Sequence, residues 1–514
     1  MIKVPDSPSK IHPSLSSFKT WRPHQKEAVE AIANSDKQFF ILNAPTGVGK
    51  SIIAIASALL SSEKTYITTH TKQLQDQYLK DFPEIVKTIK GRSNYQCLFF
   101  QELTAENCIE QTKQRCPMRD QCPYKKAKQE VITSKVAILN NAYYLTALNY
   151  TDQFPTADLV IIDEAHLIEH SLMNFIECKL TKSQMDSLLL PYPTPKEDII
   201  EYLKTLLDKT ITHHSTLQEE LKYAVKSEDQ NNIQDLSKLI KKYQSIERNV
   251  KFLLSNMDNT WIIDYTPLQI TFKPIFVHPY NEHIFAHGEK FLLMSATLSK
   301  SIIDTLNLPK NECEYMEIPS PFPVENRPLV FMPRINMSYK TQQKALPILT
   351  KLINKVLDKH ESEKGIIHTS SNKLANYIHE HCSHKDRTLI ATGQLKQQAL
   401  EIHKKSKNTV LISPSLDTGV DFKYDDGRFQ IIVNLPFPSL ADKQVKKRAR
   451  IDKNWYIGQM TNKLVQMYGR TNRAEDDYST TYVFDERLYY YLKKYPNHFP
   501  KWFIEAVVKR DYTT

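Results

Sequence analysis

Residues 44–51 read Ala44-Pro45-Thr46-Gly47-Val48-Gly49-Lys50-Ser51 and lie between an apolar run and a helical one. A glycine-bearing loop in that position lets backbone N–H groups close around phosphates, and the helix N-terminus adds a favourable field. Lys50 is then suited to the β- and γ-phosphates and Ser51 to Mg²⁺, although Ala44 stands where a strict phosphate loop has glycine. The segment Leu159-Val160-Ile161-Ile162-Asp163-Glu164-Ala165-His166 supplies the acidic groups that nucleotide hydrolysis needs. Asp163 reaches Mg²⁺ through water, and Glu164 activates the attacking water. His166 either couples nucleotide state to motion or caps a helix. A third segment, Gln466-Met467-Tyr468-Gly469-Arg470-Thr471-Asn472-Arg473, presents two arginines three residues apart. On one helical face they are candidate arginine fingers for the charge that develops on the transferred phosphoryl group.

These groups need a scaffold, and the hydrophobic pattern predicts one. Strand-like runs at 38–44, 65–69, 136–139, 159–162 and 291–294 alternate with helical patterns, the first of them the run 52–60, as in a parallel α/β sheet. A second set, at 329–331, 365–368, 388–391, 410–412, 429–434 and 481–484, predicts a second α/β domain. The two arginines fall in that second domain, so ATP is expected between the domains, with hydrolysis changing how they close. Between the two sets, Ile233, Leu236, Ile240, Tyr243, Ile246, Val250 and Leu253 recur at helical spacing, and 203–221 is also helix-like. The stretch 179–270 is therefore expected to be a helical hairpin or small bundle, with a solvent-exposed coiled coil as the alternative. Pro319-Ser320-Pro321-Phe322-Pro323 marks the junction between the α/β domains.

Composition narrows the class. With 514 residues, 41% apolar and 25% charged, the chain is a multi-domain globular protein. Its longest uncharged apolar stretch, residues 51–62, is well short of the roughly 20 residues that cross a bilayer. The opening segment has no apolar core of a secretory signal, which makes a reducing cytoplasmic setting the expectation. The net charge of +10 suits a polyanionic partner. Four of the seven cysteines, Cys97, Cys108, Cys116 and Cys122, cluster in one short stretch, while Cys178, Cys313 and Cys382 are scattered. Four thiolates suit either an iron–sulfur cluster or tetrahedral zinc; spacings of ten, seven and five intervening residues depart from the paired pattern of zinc ribbons.

The Asp-Glu-Ala-His segment, Ser295-Ala296-Thr297 and the Gln466–Arg473 segment resemble motifs II, III and VI of superfamily 2 helicases. Arg22-Pro23 with Gln25 resembles the element that recognises adenine. Gly91-Arg92-Ser93-Asn94-Tyr95-Gln96-Cys97, the pair Cys116 and Cys122 followed by Pro123-Tyr124, and Ser320-Pro321-Phe322-Pro323 resemble the XPD/DinG branch, and the match spans nearly the whole chain. The resemblance implies two RecA-like P-loop domains, at 1–92, 126–178 and 271–319 for the first and 320–514 for the second. It also implies a [4Fe-4S] insert at 93–125, held by the four cysteines, and a helical Arch insert at 179–270. The implied activity is ATP- and Mg²⁺-dependent 5′ to 3′ translocation on single-stranded DNA and opening of duplex or forked DNA, in repair, replication or recombination, by a monomer with no membrane association.

Other carried-over positions are Thr69, Thr71 and Gln73, matching motif Ia, where hydroxyls and amides bind phosphates, a solvated turn being the alternative. The segment Ser413-Pro414-Ser415-Leu416-Asp417-Thr418-Gly419-Val420-Asp421-Phe422 resembles motif V, but Thr418 stands where a glutamate usually precedes the glycine. Gly419 and Asp421 are expected near the nucleotide ribose or the domain interface. Lys443, Lys446, Lys447, Arg448 and Arg450 form either a backbone-tracking groove or a solvated helix face. Tyr95, Phe99 and Phe100 either stack on bases or fill a core. Rival readings are an RNA-directed helicase and an ATPase switch or translocase that recruits partners without unwinding.

Overall fold

The computed structural model describes residues 2–100, 102–108, 110, 116–227, 229–416, 420–474 and 476–509. The first domain contains β1 (Phe39–Asn43), β2 (Thr65–Thr69), β3 (Val86–Thr88), β4 (Val136–Asn140) and β5 (Ala157–Asp163). A small unit of β6 (Cys178–Thr181), β7 (Trp261–Tyr265) and β8 (Gln269–Pro274) follows, and β9 (Gly288–Ser295) and β10 (Cys313–Glu317) return to the main sheet. That sheet is wholly parallel in the order β10-β1-β9-β5-β2-β4-β3. Its strands are continuous apolar runs because both faces are covered; every residue of β1 and β2 is buried. The order sets the carboxyl ends of β1, β9 and β5 side by side, at the edge where open α/β sheets bind ligands.

The second domain repeats the plan with β11 (Leu329–Ile335), β12 (Gly365–His368), β13 (Thr388–Ile390), β14 (Val410–Ser413), β15 (Phe429–Ile432), β16 (Thr480–Asp485) and β17 (Val507–Lys509). They form a parallel sheet in the order β13-β14-β12-β15-β16-β11-β17. Gly365 opens β12 because the ring of Phe429 on β15 lies where its Cβ would be, with a closest approach of 2.3 Å. The proline-rich junction runs between β10 and β11.

The stretch expected to be helical is only partly so. Two helices, Ile199–Lys226 and Gln230–Asn256, of 28 and 27 residues, make an antiparallel hairpin about 40 Å long. Asp198 and Asp229 cap their N-termini, each accepting a backbone N–H two or three residues on. The hairpin stands on the antiparallel sheet β6-β8-β7, which the helical reading of 179–270 did not include. One hydrophobic cluster runs from Ile162 and Phe291 in the main sheet, through Leu180 and Phe272 at the hairpin base, to Leu221 and Ile233 near its far end. No helix among the described residues is long and apolar enough to cross a membrane.

Candidate nucleotide site between the domains

The phosphate loop leaves β1 and enters the helix Lys50–Ser61. Gly47 and Gly49 take φ of 86° and 84°, a left-handed region that costs a β-carbon-bearing residue strain. Behind the loop, Arg22 Nη1 donates to Gly47 O at 2.8 Å and Gln25 Nε2 to Val48 O at 2.6 Å. Gln25 also accepts from Arg22 N, so its amide is engaged in bracing the loop. Ala44 N donates to Ser295 O on β9, which fixes the loop's first residue to the neighbouring strand. The ring of Phe322, from the interdomain junction, lies against Gly47, where a β-carbon would approach it to 2.3 Å. Pro45 and Thr46 border the same junction, and Lys50 Nζ is 3.4 Å from Ala44 O.

Asp163 ends β5, and the turn is made by Glu164 at a φ of 56°. Tyr78 donates to Asp163 Oδ2 at 3.0 Å and also contacts Ser51, so the proposed metal-side groups meet around one phenol. Burial, then the neighbouring Glu164, pushes the Asp163 carboxyl up to about 6. Burial would raise Glu164 too, but Lys50, His166, Arg470 and the Ser295 hydroxyl together hold it below the usual carboxylate range. Both groups are therefore carboxylates near neutral pH, and Glu164 is the one that stays ionised furthest into acid. Burial drops His166 to about 4, so its imidazole is neutral. Its Nδ1 meets Ser295 Oγ at 2.7 Å, Ser295 Oγ donates to Glu164 Oε2 at 3.3 Å, and its Nε2 meets the Gln466 amide of the second domain.

The arginines complete the site from the other side. Arg470 and Arg473 both turn to Asp421, with Arg473 Nη2 at 2.6 Å from its Oδ1 and Arg470 Nη1 at 3.5 Å. Burial lowers Arg473 only to about 10, and it stays charged. The Nε of each arginine is buried without a hydrogen-bond partner among the described residues. Donors left in that state at a domain boundary fit an anionic ligand. Asp421 thus anchors both arginines from within their own domain, whereas Thr418 and Gly419 lie outside the described residues.

The four clustered cysteines line one cavity of about 480 Å³, together with Arg92, Arg119 and Lys125. Among the described residues no three His, Cys, Asp or Glu side chains close around a single-ion position. Four thiols on one cavity with three cations beside them fit a metal–sulfur group that takes thiolate ligands and carries negative charge. Phe100 is buried, and Tyr95 and Phe99 pack against the same core, which favours their core reading. Thr69 is buried with its hydroxyl donating to Thr71 O at 3.2 Å; Thr71 caps the helix Lys72–Asp81, and Gln73 is exposed on it.

The basic helix Lys443–Ile451 departs from both of its readings at one position. Arg448 is 1% exposed and reaches into the first domain, where it pairs with Glu169. Lys443 pairs with Asp264 on β7 at 2.5 Å, while Lys446, Lys447 and Arg450 remain exposed. Sequence reasoning missed Glu169 and Tyr78; the one signal for Glu169 was an acidic residue one helical turn beyond His166.

Two family models match the chain: the helicase C-terminal domain at residues 354–506, and the type III restriction enzyme res subunit at 18–190. Similar proteins include the ATP-dependent DNA helicase YoaA of Haemophilus influenzae, 22% identical with 94% of each chain covered. The Escherichia coli YoaA is 21% identical over 92% of each, and a probable ATP-dependent helicase of Methanocaldococcus jannaschii 20% identical over 89% of this chain and 90% of the other. In fold the chain is similar to a solved XPD helicase at a TM-score of 0.62 and 14% identity, covering 99% of this chain and all of that one. It is similar also to Xpd4 of S. tokodaii, at a TM-score of 0.60 and 14% identity over 95% of this chain.

Proposed function

We propose that this chain, which is an XPD/DinG-type superfamily 2 helicase and an ATP-dependent enzyme, translocates 5′ to 3′ on single-stranded DNA and separates duplex or forked DNA as a monomer. The observation that carries the reading is that Glu164 of one domain lies within electrostatic reach of the phosphate-loop Lys50 and of Arg470 and Arg473 from the other domain. The loop's N–H groups and Lys50 hold the phosphates, and Arg22 and Gln25 keep the loop in shape beside the adenine. Ser51 and Asp163 would hold Mg²⁺, which neutralises phosphate charge when bound. Glu164 takes a proton as water oxygen bonds to the γ-phosphorus and the bond to the leaving β-phosphate oxygen breaks. Arg470 and Arg473 stabilise the charge that spreads over the γ-oxygens, and can do so only with the domains closed. His166 and Gln466 carry the change in closure across the boundary.

Cys97, Cys108, Cys116 and Cys122 would hold a [4Fe-4S] cluster whose chemistry is structural, with Arg92, Arg119 and Lys125 offsetting its negative charge. Cys116→Ser should bleach the visible absorbance of anaerobically purified protein; a colourless, zinc-containing wild type would remove the cluster from the reading. The experiment for the function is unwinding of labelled duplexes with a 5′ or a 3′ single-stranded tail, with ATP and Mg²⁺. Opening of the 5′-tailed duplex alone is the expected result. Opening of the 3′-tailed duplex would reverse the polarity, and DNA-stimulated hydrolysis without strand separation would favour a translocase or switch.

A further inference from the structure

Glu169 is a buried carboxylate that the hydrolysis described above does not use. It lies in the helix Ile168–Ile176 of the first domain and is 7% exposed. Each side chain that satisfies it comes from the second domain: Arg448 Nη1 pairs with Oε1, Trp455 Nε1 reaches both oxygens at 3.0 and 2.9 Å, and Gln459 Nε2 donates to Oε2 at 3.0 Å. Arg448 is held between aromatic faces, its Cζ 4.3 Å from the Trp455 ring centre and 5.2 Å from that of Phe276 of the first domain. Burial raises the Glu169 carboxyl, and Arg448 and Trp455 oppose that rise.

Two properties separate this contact from an ordinary core ion pair. Its partners lie on different domains, so parting the domains returns both charges to water; the desolvation penalty that cancels much of a buried pair's attraction is recovered on opening. The contact is therefore reversible, with small net energy and strict geometry. Its position is also specific. Glu169 follows His166 by three residues, and their partners Gln459 and Gln466 stand seven residues apart on the helix Lys453–Tyr468, two turns along one face. Two fixed points set that helix's angle as well as its distance, and its C-terminal end leads directly into Arg470 and Arg473.

We infer that Glu169 is a positioning residue, which docks the helix Lys453–Tyr468 on the first domain and so brings Arg470 and Arg473 to bear on the γ-phosphate. The inference rests on the helicase reading above. The test is steady-state ATP hydrolysis by the full chain, with and without single-stranded DNA, for wild type, Glu169→Gln and Trp455→Phe. The first variant keeps the shape and removes the charge; the second removes one N–H and keeps the ring on Arg448. Hydrogen bonds to charged groups carry most of this contact, so Glu169→Gln should lower kcat about ten- to hundredfold, and Trp455→Phe by less. The KM for ATP should stay near wild type in both, because the phosphate loop is untouched. Glu169→Asp, which keeps the charge on a shorter stem, should recover part of the loss.

Wild-type kcat in both variants would overturn the inference. So would a loss that tracks the fraction of folded protein in a thermal melt, since that is the mark of a merely structural pair. If Glu169→Gln fails to fold, Trp455→Phe carries the test alone. A wild type whose hydrolysis ignores DNA would count against the helicase reading, while a DNA-stimulated wild type with an unaffected Glu169→Gln would count against the positioning role alone.

Discussion

The two α/β domains share a plan of seven parallel strands each but bring opposite chemistry to their meeting edge. The first ends its strands on a phosphate loop, Asp163 and Glu164, and holds them with its own hydrogen bonds from Arg22, Gln25, Tyr78 and Ser295. The second contributes cations, Arg470 and Arg473, anchored among the described residues by Asp421 and the backbone of their own domain. In the proposed function one half therefore grips a nucleotide by itself, whereas the half that stabilises the transition state must be carried in. Splitting the site in this way makes hydrolysis a report on domain closure.

The sharpest way to break that comparison is to remove one cation from each half. Arg473→Ala should cut kcat by about a thousandfold while ATP binding, followed with a fluorescent analogue, changes little. Lys50→Ala should cut turnover by about 10²–10³ and weaken nucleotide binding with it, the fold staying intact by circular dichroism. If both variants lost binding equally, the division of labour would be wrong; persistent turnover in Lys50→Ala would mean that the phosphate loop is misassigned.

A third comparison uses pH. His166 is held neutral in the folded protein down to about 4, against 6.5 for the free side chain. The unfolded chain therefore takes up a proton first as pH falls. The contribution of His166 to stability is full above 6.5, declines between 6.5 and about 4, and amounts to on the order of 3 kcal/mol at its limit. Chemical denaturation of His166→Asn against wild type should show a shallower loss over that window, and parallel curves would contradict the burial argument. The smallest effect expected is in the second sheet: Gly365→Ala forces a methyl into the Phe429 ring and should cost about 1–3 kcal/mol in denaturant midpoint analysis. A neutral result would mean that β12 and β15 separate more easily than their parallel register suggests.

Much of this placement was legible in the sequence because the proposed catalytic groups of the first domain sit where buried strands end. A run such as Leu159 to Ile162 announces both the strand and the exposed edge that follows, and Asp163 and Glu164 inherit their positions from it. The strands missed were those that do not read as continuous apolar runs. β7 is buried only at Trp261, and β17 is half-exposed or exposed throughout; pairing, not propensity, makes them strands. Arg448 was misread for a related reason. A cluster of Lys and Arg carries no local sign that one of them faces a carboxylate 279 residues away, and only the domain interface distinguishes it from its exposed neighbours. The hairpin's two long helices were visible through their spacing, but the sheet beneath them was not.

That hairpin shares a single hydrophobic cluster with one face of the first sheet. It is accordingly a stiff spar rooted in the same timber as the nucleotide pocket, and force applied at its tip is delivered to β5 and β9 with little slack between. Heating should show the same unity: amide hydrogens along the inner faces of the hairpin should exchange on the schedule of the central strands, and calorimetry should find no separate early transition belonging to the insert.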